Sequence, residues 1–154
     1  DRLLAELAGR LQRDRVHFLG WLPYQHYQAV LQVSAVHVYQ TYPFVLSWSM
    51  MEALASGCVV VGSASGPVQE VIRDGVNGFL CEFGSPAALA GKVVHALEHR
   101  ADLGAIRAAA RQTVIQDYDL RRVALPRYRA MIDALVRGRC PDRYDRRVVE
   151  LASA

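Results

Sequence analysis

The chain has 154 residues, 52% of them hydrophobic and 21% charged, a profile that fits one globular domain rather than a disordered chain, long enough to need no disulfide or metal staples. No apolar run approaches the roughly 20 residues that cross a bilayer, and the opening residues carry no basic-then-apolar leader. The net charge of +3 is divided unevenly: residues 1–120 hold nine basic and eleven acidic side chains (−2), residues 121–154 nine and four (+5), so the body lacks the charge of a nucleic-acid binder while the tail suits an anionic surface.

Leu3, Leu4, Leu7 and Leu11 recur at helical spacing and predict an amphipathic helix over residues 2–12. Residues 16–19, a short apolar run ended by Gly20, read as a strand. Pro23 then opens a second helix, with Tyr24, Tyr27, Val30 and Leu31 on one face. Residues 35–39 are β-branched and aromatic, hence a strand, and a polar, Pro-containing loop runs from Gln40 to Leu46. A helix over 49–56 is ended by Gly57. The run from Cys58 to Gly62 has the continuous apolar character of a strand covered on both faces. Residues 63–67 are turn chemistry, 68–72 a short helix or turn, and 74–78 a double turn. A fourth strand is predicted at 79–81, then helices at 86–98, 102–117 and 120–138. Strands alternating with helices give an α/β, doubly wound parallel sheet with right-handed crossovers. Its ligand belongs at the carboxyl ends of the strands. Residues 1–118 form this Rossmann-like unit, and residues 119–154 a helical, Arg-rich extension.

The step from Thr41 to Glu52 leaves a buried strand and enters a helix. Backbone N–H groups there lack intrahelical partners and the helix dipole favours an anion, for which a diphosphate is a natural guest. A carboxylate one turn into such a helix can accept two hydrogen bonds from the vicinal hydroxyls of a ribose or hexose, and Glu52 is placed to do so. Ser49-x-x-Glu52 equally fits a capping box, in which the glutamate bonds the N–H of the cap residue. The residues alone leave both uses open. Asp74, Gly75, Asn77 and Gly78 read as structural, since Gly and Asn tolerate positive φ in tight turns. His37 alternates with Val36 and Val38 and reads as a core-flanking histidine, and His17, His26, His95 and His99 lack metal-type spacing. Trp48 is expected in the core or an interface rather than stacked on a base. Cys58, Cys81 and Cys140 are odd in number and without zinc spacing, which fits thiols in a reducing compartment.

Six motifs follow in order between Arg15 and Leu97: Val16-His17-Phe18-Leu19-Gly20; Val36-His37-Val38-Tyr39; Ser49-Met50-Met51-Glu52-Ala53-Leu54-Ala55-Ser56-Gly57; Val59-Val60-Val61-Gly62-Ser63; Glu70 through Leu80; and the helix around Leu89. Together they resemble the C-terminal, donor-binding lobe of retaining GT-B glycosyltransferases of the family-four, group-one type. The resemblance implies that Glu52 holds the ribose hydroxyls of a nucleotide. A second family glutamate, eight positions earlier, would fall on Phe44, whose ring cannot accept a hydrogen bond. Contact with the donor sugar is then expected at Phe44, Val45, Leu46 and Ser47, the last three through their backbone. Glu70 matches a family glutamate near the sugar-binding loop, or is a solvated or capping carboxylate, and the turn at Gly20-Trp21-Leu22-Pro23 falls where the family's nucleobase pocket lies.

The resemblance further implies transfer of a hexosyl group from a nucleotide-diphosphate sugar, with no cofactor and no obligatory metal, to a glycan, a lipid-linked sugar or a small metabolite. The acceptor would be held by an N-terminal lobe, and the family's diphosphate-binding Arg and Lys would lie before residue 1. A bacterial, cytoplasmic protein of glycan biosynthesis is expected, its Arg-rich tail either touching the inner face of an anionic membrane or forming a solvated face on the other lobe. Rival readings are a non-catalytic nucleotide- or sugar-phosphate-binding module and a GT-B epimerase or phosphorylase. Against the phosphorylase, Lys92 is the sole lysine and is patterned for the surface. By the doubly wound strand order two central strands would be missing, so strands 16–19 and 35–39 either pair directly or leave an exposed hydrophobic edge. Made alone, the chain is expected to self-associate through such an edge and to transfer no sugar.

Overall fold

Three β-branched residues in succession, Val59, Val60 and Val61, are all fully buried, which requires a strand covered on both faces. They lie in β2 (Val59–Ser63), the central strand of a parallel sheet whose order is β1-β2-β3. Strand β1 is Val36–Tyr39 and β3 is Phe79–Cys81. The computed structural model describes residues 6, 10–40, 42 and 46–139. In register, Val36 lies opposite Val59 and Val61 opposite Phe79.

Helix α1 (Tyr24–Val33) precedes β1, and α2 (Trp48–Ala55) carries the chain from β1 to β2. A single turn, α3 (Gly66–Gln69), lies between β2 and β3; α4 (Pro86–Glu98), α5 (Gly104–Tyr118) and α6 (Leu125–Val136) follow. The alternation of side chains along β2 divides the core in two. Val60 joins Leu31, Tyr39, Met50, Ala53, Leu54, Val68, Ile72 and Ala110 on one face, while Val59 and Val61 meet Phe79, Ala96 and Leu103 on the other. Each buried valine contributes roughly 1.5–3 kcal/mol of apolar transfer energy.

The α2 segment ends as its sequence dictates. Gly57 takes φ +72°, and the N–H groups of Gly57 and Cys58 donate to the carbonyls of Leu54 and Ala53, the hydrogen-bond pattern of a Schellman stop. Two arginines of α5 reinforce that end: Arg107 donates to the carbonyls of Gly57 (3.2 Å) and Ala35 (2.9 Å), and Arg111 to that of Ala55. Planar guanidinium forks suit this bridging of carbonyls, and positive charge is favourable at a helix C-terminus.

Four expectations are corrected. Residues 16–19 form no strand, and Phe18 and Leu19 stand 70% and 54% exposed. A strand exists by pairing, and β1 pairs with β2 alone among the described residues, so residues 16–19 do not join β1 directly. The helix expected over 2–12 lies largely outside the described residues: residue 6 is helical, whereas residues 10–12 are not, so no helix reaches 12. The helix expected over 120–138 is instead a π-helical turn (Leu120–Ala124) followed by α6. Pro126 supplies no N–H, and just before it the bonds widen to five residues, Ala124 to Asp119 and Leu125 to Leu120. Finally, Asn77 does not have positive φ, which among the described residues is confined to glycines; its role in the turn is different, as described below.

Candidate functional site

In a parallel sheet the loops at the carboxyl ends of the strands converge on one edge. Here that edge is formed by Tyr39–Gln40 after β1, Ser63–Ala64 after β2 and Cys81–Glu82 after β3. Gln40 Nε2 reaches Cys81 Sγ at 3.6 Å and the Ala64 N–H donates to the Cys81 carbonyl at 2.7 Å, tying the strand ends together.

Helix α2 enters this edge, and its cap is Ser47. The Ser47 side chain accepts from the Ser49 N–H at 3.2 Å, and the two serine hydroxyls lie 2.9 Å apart. The Ser47 N–H in turn donates to the Tyr39 hydroxyl at 2.9 Å, so the end of β1 fixes the start of α2. A Ser49–Glu52 capping box is therefore not formed: with Ser47 at the cap, the position that would close the box is Met50. Glu52 instead lies one turn further in and faces α1. Hydrogen bonding to the Glu52 carboxylate, and its charge, hold the Tyr24 hydroxyl above its ordinary range. Burial raises Tyr27 in the same direction, with the Glu52 charge adding to it. The Tyr27 hydroxyl is buried and makes no hydrogen bond that meets ordinary geometry. No basic side chain among the described residues pairs with Glu52.

The remaining candidate residues fall as follows. Leu46 packs against the core cluster on the α2 side of the sheet, and Phe44 and Val45 lie outside the described residues. Glu70 is exposed at the end of α3, and its charge is felt by Tyr118 at the end of α5, a hydroxyl raised first by burial and then by Asp117. The structure thus brings Ser47 and Glu52 onto one helix at the strand ends, with Glu70 facing α5. Trp48, expected in the core or an interface, is 82% exposed at the first turn of α2, because the apolar face of that helix is made by Met50, Ala53 and Leu54. Cys58 and Cys81 are buried free thiols, with Cys58 raised by burial against a lowering by Arg107, and Cys140 lies outside the described residues.

Two polar features had no sequence signal. Ser63, at the carboxyl end of β2, is fully buried with its hydroxyl unpartnered. The phenols of Tyr24 and Tyr27 meet Glu52 across 25 residues or more; their spacing on one face of α1 was visible, but not what that face would meet.

The turn at 74–78 is saturated by contrast. Asn77, 1% exposed, accepts from the Arg73 N–H (2.7 Å) and donates to the Val71 carbonyl and the Thr113 hydroxyl (both 2.9 Å). Asp74 accepts from the Leu80 N–H at 2.8 Å and pairs with Lys92 at 3.0 Å. Burial works against the Asp74 charge, yet these bonds hold its carboxyl below the usual range. A Cβ on Gly78 would stand 3.0 Å from the Val60 carbonyl, so close approach requires glycine there.

Similarity to known proteins fits this geometry. The family model described as group 1 glycosyl transferases matches residues 1–99. An uncharacterised glycosyltransferase of Methanocaldococcus jannaschii is 27% identical over 97 residues, covering 62% of this chain and 25% of its own length. Among solved structures, sucrose-phosphate synthase of Thermosynechococcus elongatus superposes with a TM-score of 0.79 at 21% identity, over 88% of this chain and 34% of its own. HepE of Anabaena, in complex with UDP, gives 0.74 at 22% identity, over 88% and 36%. At such identities the superpositions establish a shared fold, and the chain spans a quarter to about a third of the length of these proteins.

Proposed function

This chain belongs to the group 1 glycosyl transferases, and we propose that it forms the donor-binding part of an enzyme that transfers a hexosyl group, with retention, from a nucleoside diphosphate sugar. The diphosphate is placed at the N-terminus of α2, where the helix dipole and the Ser47 and Ser49 hydroxyls meet it. Glu52 accepts from the two ribose hydroxyls. As the sugar leaves, charge developing on the diphosphate is stabilised by the pre-oriented helix start and by cations from the rest of the polypeptide. That part of the polypeptide also holds the acceptor, a glycan or lipid-linked sugar. HepE has been seen with UDP and with UDP-glucose, which makes a uridine diphosphate sugar the first donor to test.

The observation that carries this reading is Glu52. It takes no part in a helix cap and has no basic partner among the described residues, yet it is held at the second turn of a helix that starts at the strand ends. An acidic side chain that neither caps its helix nor joins an ion pair is suited to a ligand that supplies hydrogen-bond donors. In the complete polypeptide, Glu52→Ala should weaken UDP binding by about 1–3 kcal/mol, the range for a charged hydrogen bond lost. Calorimetry giving wild-type affinity would overturn the assignment.

A further inference from the structure

Tyr24 and Tyr27 are three residues apart on α1, so they share one face of it. Their rings lie 6.3 Å apart at a 38° tilt. That face meets α2, where the Tyr27 ring packs against the core cluster containing Met50 and Leu54. The two phenols differ in one respect. Tyr24 is 58% exposed, and the Glu52 carboxylate beside it holds its hydroxyl above the ordinary range. The Tyr27 hydroxyl is buried with no hydrogen bond of ordinary geometry, beside the same carboxylate and the Tyr24 hydroxyl.

A buried phenol without a partner is costly, and phenylalanine would pack the same ring without that cost. The hydroxyl therefore adds no well-formed hydrogen bond to the fold. A carboxylate has about four lone-pair sites. A bond from Tyr24 would take one of them and leave the others for incoming donors.

We propose that the diol-reading group of the donor site is a three-residue cluster, in which Tyr24 positions Glu52 and the Tyr27 hydroxyl donates to a ribose hydroxyl oxygen. This rests on the assignment of Glu52 to the nucleoside and names its companions. Glu52 accepts from the ribose hydroxyls while Tyr27 donates to one of their oxygens, so donor and acceptor capacity are both matched. The exposed Tyr24 ring is the side chain that shifts to admit the sugar, remaining on the carboxylate edge that the ribose does not use.

The test compares UDP with 2′,3′-dideoxy-UDP by calorimetry on the complete polypeptide. Tyr27→Phe should weaken UDP binding about three- to ten-fold, as for one neutral hydrogen bond, leave dideoxy-UDP binding unchanged, and not lower the melting temperature. Tyr24→Phe should weaken UDP binding in the wild-type background and have no effect when Glu52 is alanine, as expected of a residue acting through Glu52. If Tyr27→Phe binds UDP like wild type while Glu52→Ala does not, the cluster is wrong and the donor-site assignment stands. Equal losses for both nucleotides with a lowered melting temperature would make Tyr27 structural and overturn the cluster. Wild-type affinity in Glu52→Ala removes the donor-site assignment itself.

Discussion

Two polar groupings sit against the same sheet and differ in how far they are satisfied. In the turn at 74–78, the amide of Asn77 spends its oxygen on one backbone N–H and its nitrogen on a carbonyl and a hydroxyl, and Asp74 is bonded by both a backbone N–H and an ammonium. Between α1 and α2, Glu52 has no basic partner among the described residues, and a buried phenol beside it has no hydrogen bond. The first arrangement is complete within the chain. The second has capacity left over, and spare capacity held in a fixed geometry is what a ligand can use.

The difference should appear first in stability. Asn77→Ala strips a fully buried side chain of three hydrogen bonds and leaves the Arg73 N–H and the Val71 carbonyl unpaired, so unfolding by denaturant should show a loss of roughly 3 kcal/mol. Stability like that of the wild type would end the contrast between the two groupings. A smaller effect comes from His37, which sharpens the contrast because its shift has burial alone as its cause. Burial holds the folded His37 below its ordinary value, so between the two values the unfolded chain binds a proton that the folded chain refuses. Stability is then present at neutral pH and declines as pH falls below about 6.5. The decline should be shallower in His37→Gln than in wild type; identical pH profiles would mean that this group is not linked to folding. The smallest effect belongs to Glu52→Ala, whose melting temperature should stay close to that of wild type, since no cap and no ion pair is lost and only its contact with the α1 phenols goes. A large drop would return Glu52 to a structural role.

How much of this was legible depended on the range of the forces involved. The central strand could be read from three valines in a row, because burial on both faces imposes a local pattern. The end of α2 could be read from Gly57, because a left-handed stop is a property of one residue. The strand expected at 16–19 could not be judged, because pairing depends on a neighbour and not on the segment itself. The cap was misplaced by two residues because Ser47 and Ser49 are equally able to cap, and the choice was made by the Tyr39 hydroxyl, eight residues upstream of Ser47. Asn77 was rightly seen as structural for the wrong reason: its partner Thr113 lies 36 residues on, on another helix. At the candidate site, Glu52 stood out by position and resemblance, while the phenols that face it required the docking of α1 on α2.

Strand β1, paired on one side among the described residues, lends the candidate site an uneven footing. Its amides that point away from β2 have no ladder partner there, so they should trade hydrogen for deuterium early, while those of the wholly buried β2 should trade last. Tyr39, whose hydroxyl receives the Ser47 N–H, lies on the fast strand, and the Ser63–Ser65 turn hangs from the slow one. A nucleotide gripping the start of α2 would therefore announce itself as slowed exchange on the β1 side, with β2 almost silent, and its footprint could be read amide by amide without any assay of transfer.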